Sequence, residues 1–204
     1  MDFEFSEDQQ SLRDAVQRWV HKDYSFEQRR AIVRAGGFSR DAWEGLIGLG
    51  LSALAVPEAH GGLGFGAVEA MVVMEELGRG LVMEPLAQAA LIAPAVLAHA
   101  QAPIQSAWLP RIAAGEALIV LALQERGARY RLDTLSTTAS EGRLSGSKSL
   151  VPAGDQADAF IVPAREANGV ALYLIERQAE GLSCHGYQLQ DGSRAAELKL
   201  QATP

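Results

Sequence analysis

Near Gly115 the spacing of the apolar residues changes, and that change limits the folds open to this chain. Before it, apolar residues recur three and four apart, as on one face of a helix. After it they come in short β-branched or alternating runs. Ser6 and Gln9 have the spacing of a capping box, and Leu12, Ala15, Val16 and Trp19 follow at helical intervals. A second helix is predicted over "SFEQRRAIVRAGG", stopped by Gly36-Gly37. Ser39 caps a third, "SRDAWEGLIGLG", with Trp43, Leu46 and Ile47 on one face. Val68, Met71, Val72, Glu75 and Glu76 continue a fourth toward Gly78–Gly80. Residues 85–99 and 106–114 make two more; Pro85 suits a helix start, whereas Pro94 falls inside its pattern and should kink or split that helix.

Beyond residue 116, strands are predicted at "ALIVLALQ", "DTLSTTAS", "RLSGSKSLV", "AFIVPAR", "VALYLIER" and "AAELKLQ". Glu141-Gly142 and Asn168-Gly169 are turn signals between them. The expectation is an α+β chain: an N-terminal all-α helical domain over residues 1–116, then an antiparallel β-barrel or sandwich over 117–204.

The 204 residues, 48% hydrophobic and 21% charged, suit one or two ordinary globular domains. The formal net charge of −7 argues against general nucleic-acid binding, which rests on Lys and Arg at phosphates. Cys184 stands alone, so no internal disulfide can form, and a reduced, cytoplasmic setting fits. The start, "MDFEFSEDQQ", has neither the basic nor the apolar part of a signal peptide. The most apolar segment, Pro85–Ala100, carries Gln88, Pro94 and His99. It falls short of the ~20 apolar residues of a membrane span and reads as a buried helix.

Four features invite a chemical reading. Gly62, Gly64 and Ala67 fit G-x-G-x-x-A, with Glu84 about where a ribose-binding carboxylate lies. In a dinucleotide-binding fold, however, a strand runs directly into the first glycine. Here Pro57-Glu58-Ala59-His60 intervenes between helical segments, so the glycines read as a turn and a helix start. His21, His60, His99 and His185 are scattered and none has metal-ligand spacing, so no metal is expected. No G-x-S-x-G elbow is present. Glu75-Glu76 are adjacent, so their side chains diverge around the helix, and at least one belongs on a solvated or salt-bridged face. Finally, "RGARYR" gathers Arg126, Arg129 and Arg131 beside Tyr130, either as a solvated loop or as a contact for a phosphate or carboxylate.

In their order and spacing, "MDFEFSEDQQSLRDAVQRWV", "LGLSALAVPEAHGGLGFGAVEAMVVMEELGRG", "WLPRIAAGE", "RLSGSKSLVPAGDQADAFIVPA" and "EGLSCHGYQLQDGSRAAELKL" resemble the acyl-CoA dehydrogenase family over the whole chain. Within it, "MEELGRGLVMEP", "ARYRLDTLSTTA" and "YQLQDGSRAAELKL" are most similar to the small subunit of pimeloyl-CoA dehydrogenases. The resemblance implies an α-helical domain, a β domain and a C-terminal helical bundle, with FAD against the β domain and an acyl-CoA beside it. The substrate's α proton would go to a carboxylate and its β hydrogen to the flavin as hydride. An electron-transfer flavoprotein or similar acceptor, and homo- or hetero-oligomers, are implied as partners. The catalytic carboxylate belongs to the bundle, beyond Pro204, so no residue of this chain takes that role.

The positions that match cofactor contacts are Leu121, Leu123, Gln124, Leu150, Val151 and Pro152. Tyr130 matches a position near the CoA arm, and Arg129 is the candidate contact for a CoA phosphate or a diacid's distal carboxylate. Where the family has Thr-Glu-Pro, this chain reads Gln124-Glu125-Arg126; where it has Gly-Ser-Asp, Arg129-Tyr130-Arg131. Where it has Trp-Ile-Thr, this chain reads Leu150-Val151-Pro152. Gln124 keeps a donor and an acceptor. Leu150 cannot stack as an aromatic ring, and Pro152 has neither a hydroxyl nor an N–H. Three readings follow from these motifs: a dehydrogenase, a non-catalytic partner subunit of a hetero-oligomeric dehydrogenase, or a flavin-dependent monooxygenase of the same superfamily.

Overall fold

Caps and glycines set the limits of the helices in the computed structural model, which describes residues 4–128, 131 and 133–204. The Ser6 hydroxyl accepts from the Gln9 N–H while the Gln9 side chain accepts from the Ser6 N–H, and helix α1 (Glu7–Asp23) starts there. The Ser25 hydroxyl caps α2 (Phe26–Arg34) by accepting the Gln28 N–H, and the Ser39 hydroxyl caps α3 (Arg40–Gly48) by accepting the Ala42 N–H, both without a reciprocal side chain. Helix α4 (Ala67–Arg79) begins at Gly66, which has no capping side chain; the Glu69 carboxylate accepts the Gly66 N–H instead. The segment around Pro94 splits as expected. A π-helical turn (Ala87–Ile92) passes into α5 (Ala93–Leu97) through an i→i−5 bond from the Ala93 N–H to the Gln88 carbonyl. The last helix, α6 (Ala102–Ala113), starts four residues before its predicted first residue and takes Pro110 inside it. The core of this part is built from Val16, Trp43, Leu46, Leu54, Val72, Leu86 and Leu109. Among the described residues, no helix is long and apolar enough to cross a membrane.

The chain divides into two compact units, Met1–Glu116 and Ala117–Pro204. Among its described residues the second forms a seven-stranded curled sheet: β1 (Ile119–Leu121), β2 (Thr138–Ser140), β3 (Arg143–Pro152), β4 (Ala159–Glu166), β5 (Gly169–Glu176), β6 (Leu182–Gln188) and β7 (Arg194–Thr203). Hydrogen-bonded neighbours run β1-β4-β2-β3-β7-β6, with β5 on β4. Four pairings are antiparallel, as expected, but β1 and β2 each meet β4 in parallel. Long connections make those pairings accessible, since a parallel pair cannot be closed by a tight turn. Glu141 and Gly142 both take positive φ (51° and 73°) between β2 and β3, the geometry of a two-residue hairpin turn. At the second signal only Gly169 does (142°), and the two loop residues are Ala167 and Asn168.

Two strands are shorter than predicted for reasons that bear on the site. After Leu121 the chain makes one more bond to β4, from the Ala122 N–H, and then changes partner: the Gln124 carbonyl accepts the Ser149 N–H of β3 at 2.8 Å. Ser136 and Thr137 give their N–H groups to the Glu125 carboxylate, which delays β2 until Thr138. Strand β6 went unpredicted because "LSCHGYQ" is polar, contains a glycine and lacks β-branched residues.

Candidate functional site

The partner change at Gln124 brings the end of the β1 segment onto the Ser149–Leu150 stretch of β3. A cleft of about 750 Å³ opens there, lined by Gln124, Arg126, Ser149 and Leu150, by His185, Tyr187 and Glu197 from β6 and β7, and by the nearly buried Glu125. Leu150 occupies a special place. β3 and β7 lose register between Lys148 and Val151, and Leu150 takes φ 50°, in the left-handed region that a branched apolar residue adopts at a cost of roughly 1–3 kcal/mol. This turns its side chain out of the core, leaving the residue 49% exposed, whereas Val151 is buried.

Glu197 organises the polar side. It accepts from the Tyr187 hydroxyl at 3.3 Å, pairs with Arg126 at 3.4 Å and lies opposite His185 in the β6–β7 register. Burial, and then the Glu197 charge, raise the Tyr187 pKa, so its hydroxyl stays a donor. Beneath the cleft lies a buried ion pair. The Lys148 ammonium, 0% exposed, donates to Glu125 Oε1 at 2.8 Å and to the Pro163 carbonyl at 2.7 Å. Burial drives the Glu125 carboxyl up, but donors from Lys148, Thr137 and Ser136 outweigh it and hold its pKa at about 2.

Of the positions matched to cofactor contacts, Gln124 and Leu150 meet in this cleft, and Arg126 of the basic stretch joins them. Leu121 ends β1 opposite Ile161, and Leu123 is half-buried; neither lines the cleft. Val151 and Pro152 pair with Ala196 and Ala195 of β7, outside the lining. Arg129 and Tyr130 lie outside the described residues. The flanking arginines are engaged locally, Arg126 with Glu197 and Arg131 with Asp133 at 2.8 Å. Tyr187, Glu197 and Lys148 were not singled out in the sequence, and His185 and Glu125 were named there without a place in this cleft. An alternation of Ser183, His185 and Tyr187 was the signal available for part of it.

The glycine loop is no phosphate cradle. The N–H groups of Gly62, Leu63, Gly64 and Phe65 donate to the carbonyls of Pro57, Ala53, Val56 and Leu54, so none points at a ligand. Glu84 accepts from the Ser39 N–H inside the helical unit. Glu75 and Glu76 are both ion-paired with Arg13 and Arg79. Among the described residues, no three His, Cys, Asp or Glu side chains cluster as a metal site.

The chain is thus a helical unit followed by a curled sheet, with a cleft in the sheet where β1 hands over to β3. The comparisons specify its family. Residues 6–116, more than half of the chain, match the family described as Acyl-CoA dehydrogenase, N-terminal domain. The chain is 30% identical to the acyl-CoA dehydrogenase FadE27 of Mycobacterium tuberculosis over 90% of its own length and 49% of that protein's. It is 34% identical to FadE28 of the same organism, over 89% and 47%. Among solved structures, the ChsE4–ChsE5 complex from Mycobacterium tuberculosis superposes with a TM-score of 0.90 at 29% identity, covering 100% of this chain and 56% of that one. The chain belongs to the acyl-CoA dehydrogenase family, and it spans about half the length of the curated relatives it matches.

Proposed function

We propose that this chain is the helical and β portion of an FAD-dependent acyl-CoA dehydrogenase that introduces a double bond between Cα and Cβ of an acyl-CoA. The observation that carries this reading is the meeting of Gln124 and Leu150 in one cleft of the β unit. Its residues suit one face of a flat heteroaromatic ring: Leu150 offers an apolar platform, and the Gln124 carboxamide offers a donor and an acceptor. FAD, when bound, supplies the hydride acceptor. The chain's own part is to orient the ring, exclude water from one face and keep polar partners at its rim. Gln124 carries the polar contact on this wall, beside Leu150. Arg129 is proposed to bind an anionic group of the substrate, with a dicarboxylic acyl-CoA such as pimeloyl-CoA the favoured class. An electron-transfer flavoprotein or similar protein would reoxidise the flavin.

A second reading, a non-catalytic subunit of a hetero-oligomeric dehydrogenase, draws support from the loss of ring and hydroxyl at Leu150 and Pro152 and from the likeness to a subunit of a two-protein complex. Reconstitution separates the two. The protein, alone and with any co-expressed larger subunit, is incubated with FAD and then with medium-chain and dicarboxylic acyl-CoAs. The dehydrogenase reading expects a yellow protein whose flavin absorbance bleaches, and an R129A variant that loses affinity mainly for the diacid thioesters. A protein that stays colourless with every partner contradicts it.

A further inference from the structure

The Glu125–Lys148 pair is placed as no stability argument requires. Removing two charges from water costs several kcal/mol per ion, and well-packed neutral replacements are often as stable or more so. Yet Lys148 is fully buried and Glu125 is 4% exposed. The carboxylate collects four hydrogen bonds: from Lys148 Nζ at 2.8 Å, the Thr137 hydroxyl at 2.7 Å, the Thr137 N–H at 3.1 Å and the Ser136 N–H at 2.6 Å. The ammonium continues to the Pro163 carbonyl of β4. One pair thus fastens the segment after β1, the segment before β2, β3 and β4.

Its neighbours in the chain are the two cleft residues. Gln124 directly precedes Glu125, and Leu150 lies two residues after Lys148. Between them the Ser149 N–H donates to the Gln124 carbonyl at 2.8 Å. The β3–β7 ladder cannot hold Leu150 itself, because the register breaks there and its φ is 50°. Such a conformation persists only where surrounding contacts over-determine it. The charged state of Glu125 is secured independently, since its donors hold the carboxyl at about 2.

We propose that Glu125 and Lys148 are positioning residues that fix Gln124 and Leu150 across the β1–β3 handover, and so preorganise the cleft. This rests on the flavin reading above for what the cleft binds, but not for the tether itself. Two variants test it in the whole chain: E125Q/K148M, which is neutral and keeps one carboxamide oxygen as acceptor for the Ser136 or the Thr137 amide, and K148M alone. The first readout needs no flavin. Amide exchange at Ser149 should rise at least about tenfold, while amides of the β6–β7 ladder, to which the pair makes no hydrogen bond, keep their wild-type rates. The second is FAD affinity by fluorescence titration, which should weaken by a comparable factor.

Unchanged Ser149 exchange overturns the proposal. So does a uniform rise across the sheet, or failure of both variants to fold, since either makes the pair a general stability element. If Ser149 loosens selectively but wild-type protein binds no FAD, the tether stands and the flavin reading falls.

Discussion

Gly62 has a structural reason to be glycine. A Cβ there would overlap the Val56 carbonyl and side chain, because the loop folds back against the residues before Pro57. Backbone cannot yield as a flexible side chain can, so Gly62→Ala should destabilise the helical unit by about 2–3 kcal/mol. The measurement is the thermal midpoint by tryptophan fluorescence, expected to fall by ~4 °C or more for each kcal/mol lost. Bound FAD, where present, should not change that loss; a midpoint equal to wild type contradicts it. At this scale the sequence was informative wherever a residue's role is local: Ser6 with Gln9, the glycine turn, Pro94. It was silent where the role is made by distance. Glu125 and Lys148 stand 23 residues apart, and nothing in either neighbourhood says that they meet. The exposure of Leu150 was equally hidden, because it follows from a register slip against a strand nearly 50 residues further on.

Elements were legible to the degree that their own pattern made them. Among the described residues, helices α1 to α6 each overlap a predicted one, because periodicity and caps are read within one element, whereas the short 3-10 turns Leu51–Ala53 and Glu58–His60 went unpredicted. Strand limits failed where tertiary hydrogen bonds overrode local preference: β1 ends early because Gln124 changes partner, and β2 starts late because a carboxylate takes two of its amides. The candidate site inherits these limits, and its β6 side was missed with the strand. The α1 cap allows a test of how much one such signal contributes. Ser6 accepts the Gln9 N–H at 3.2 Å, and the Gln9 side chain also donates to Glu69 of α4 at 2.8 Å. Ser6→Ala should cost about 1 kcal/mol. Because Gln9 also links the two helices, exchange should quicken at the first turn of α4 as well as at that of α1. Loosening confined to α1 would separate the cap from the helix pairing.

Glu84 in the helical unit and Glu125 in the sheet are both buried, and the two respond to pH in opposite senses. Glu125 lies far below its ordinary value of 4.5, so it supports the sheet above that value and loses its contribution as pH falls toward about 2. Glu84, in the helical unit, is 5% exposed, and its Oε2 has no hydrogen-bond partner among the described residues. Burial raises its pKa, and the Tyr24, Ser39 and Met83 groups pull it only partly back. Below the unfolded value of 4.5 both states hold the proton and no penalty exists. As pH rises through that value toward the folded one, the unfolded chain ionises first and the fold is progressively destabilised; above the folded value the penalty is complete. The chain's three tryptophans, Trp19, Trp43 and Trp108, all precede Glu116, so their fluorescence follows the helical unit alone. Other carboxylates also titrate, so the informative quantity is the difference between wild type and Glu84→Gln. The variant should melt higher than wild type at pH 8, with the gap closing by pH 4. Amide exchange in β3 and β4 should show no such gap at either pH, because Glu125 is ionised throughout that range. A gap that persists at pH 4 would mean that the Glu84→Gln substitution acts through packing, and no gap at pH 8 would mean that the buried carboxylate carries no penalty.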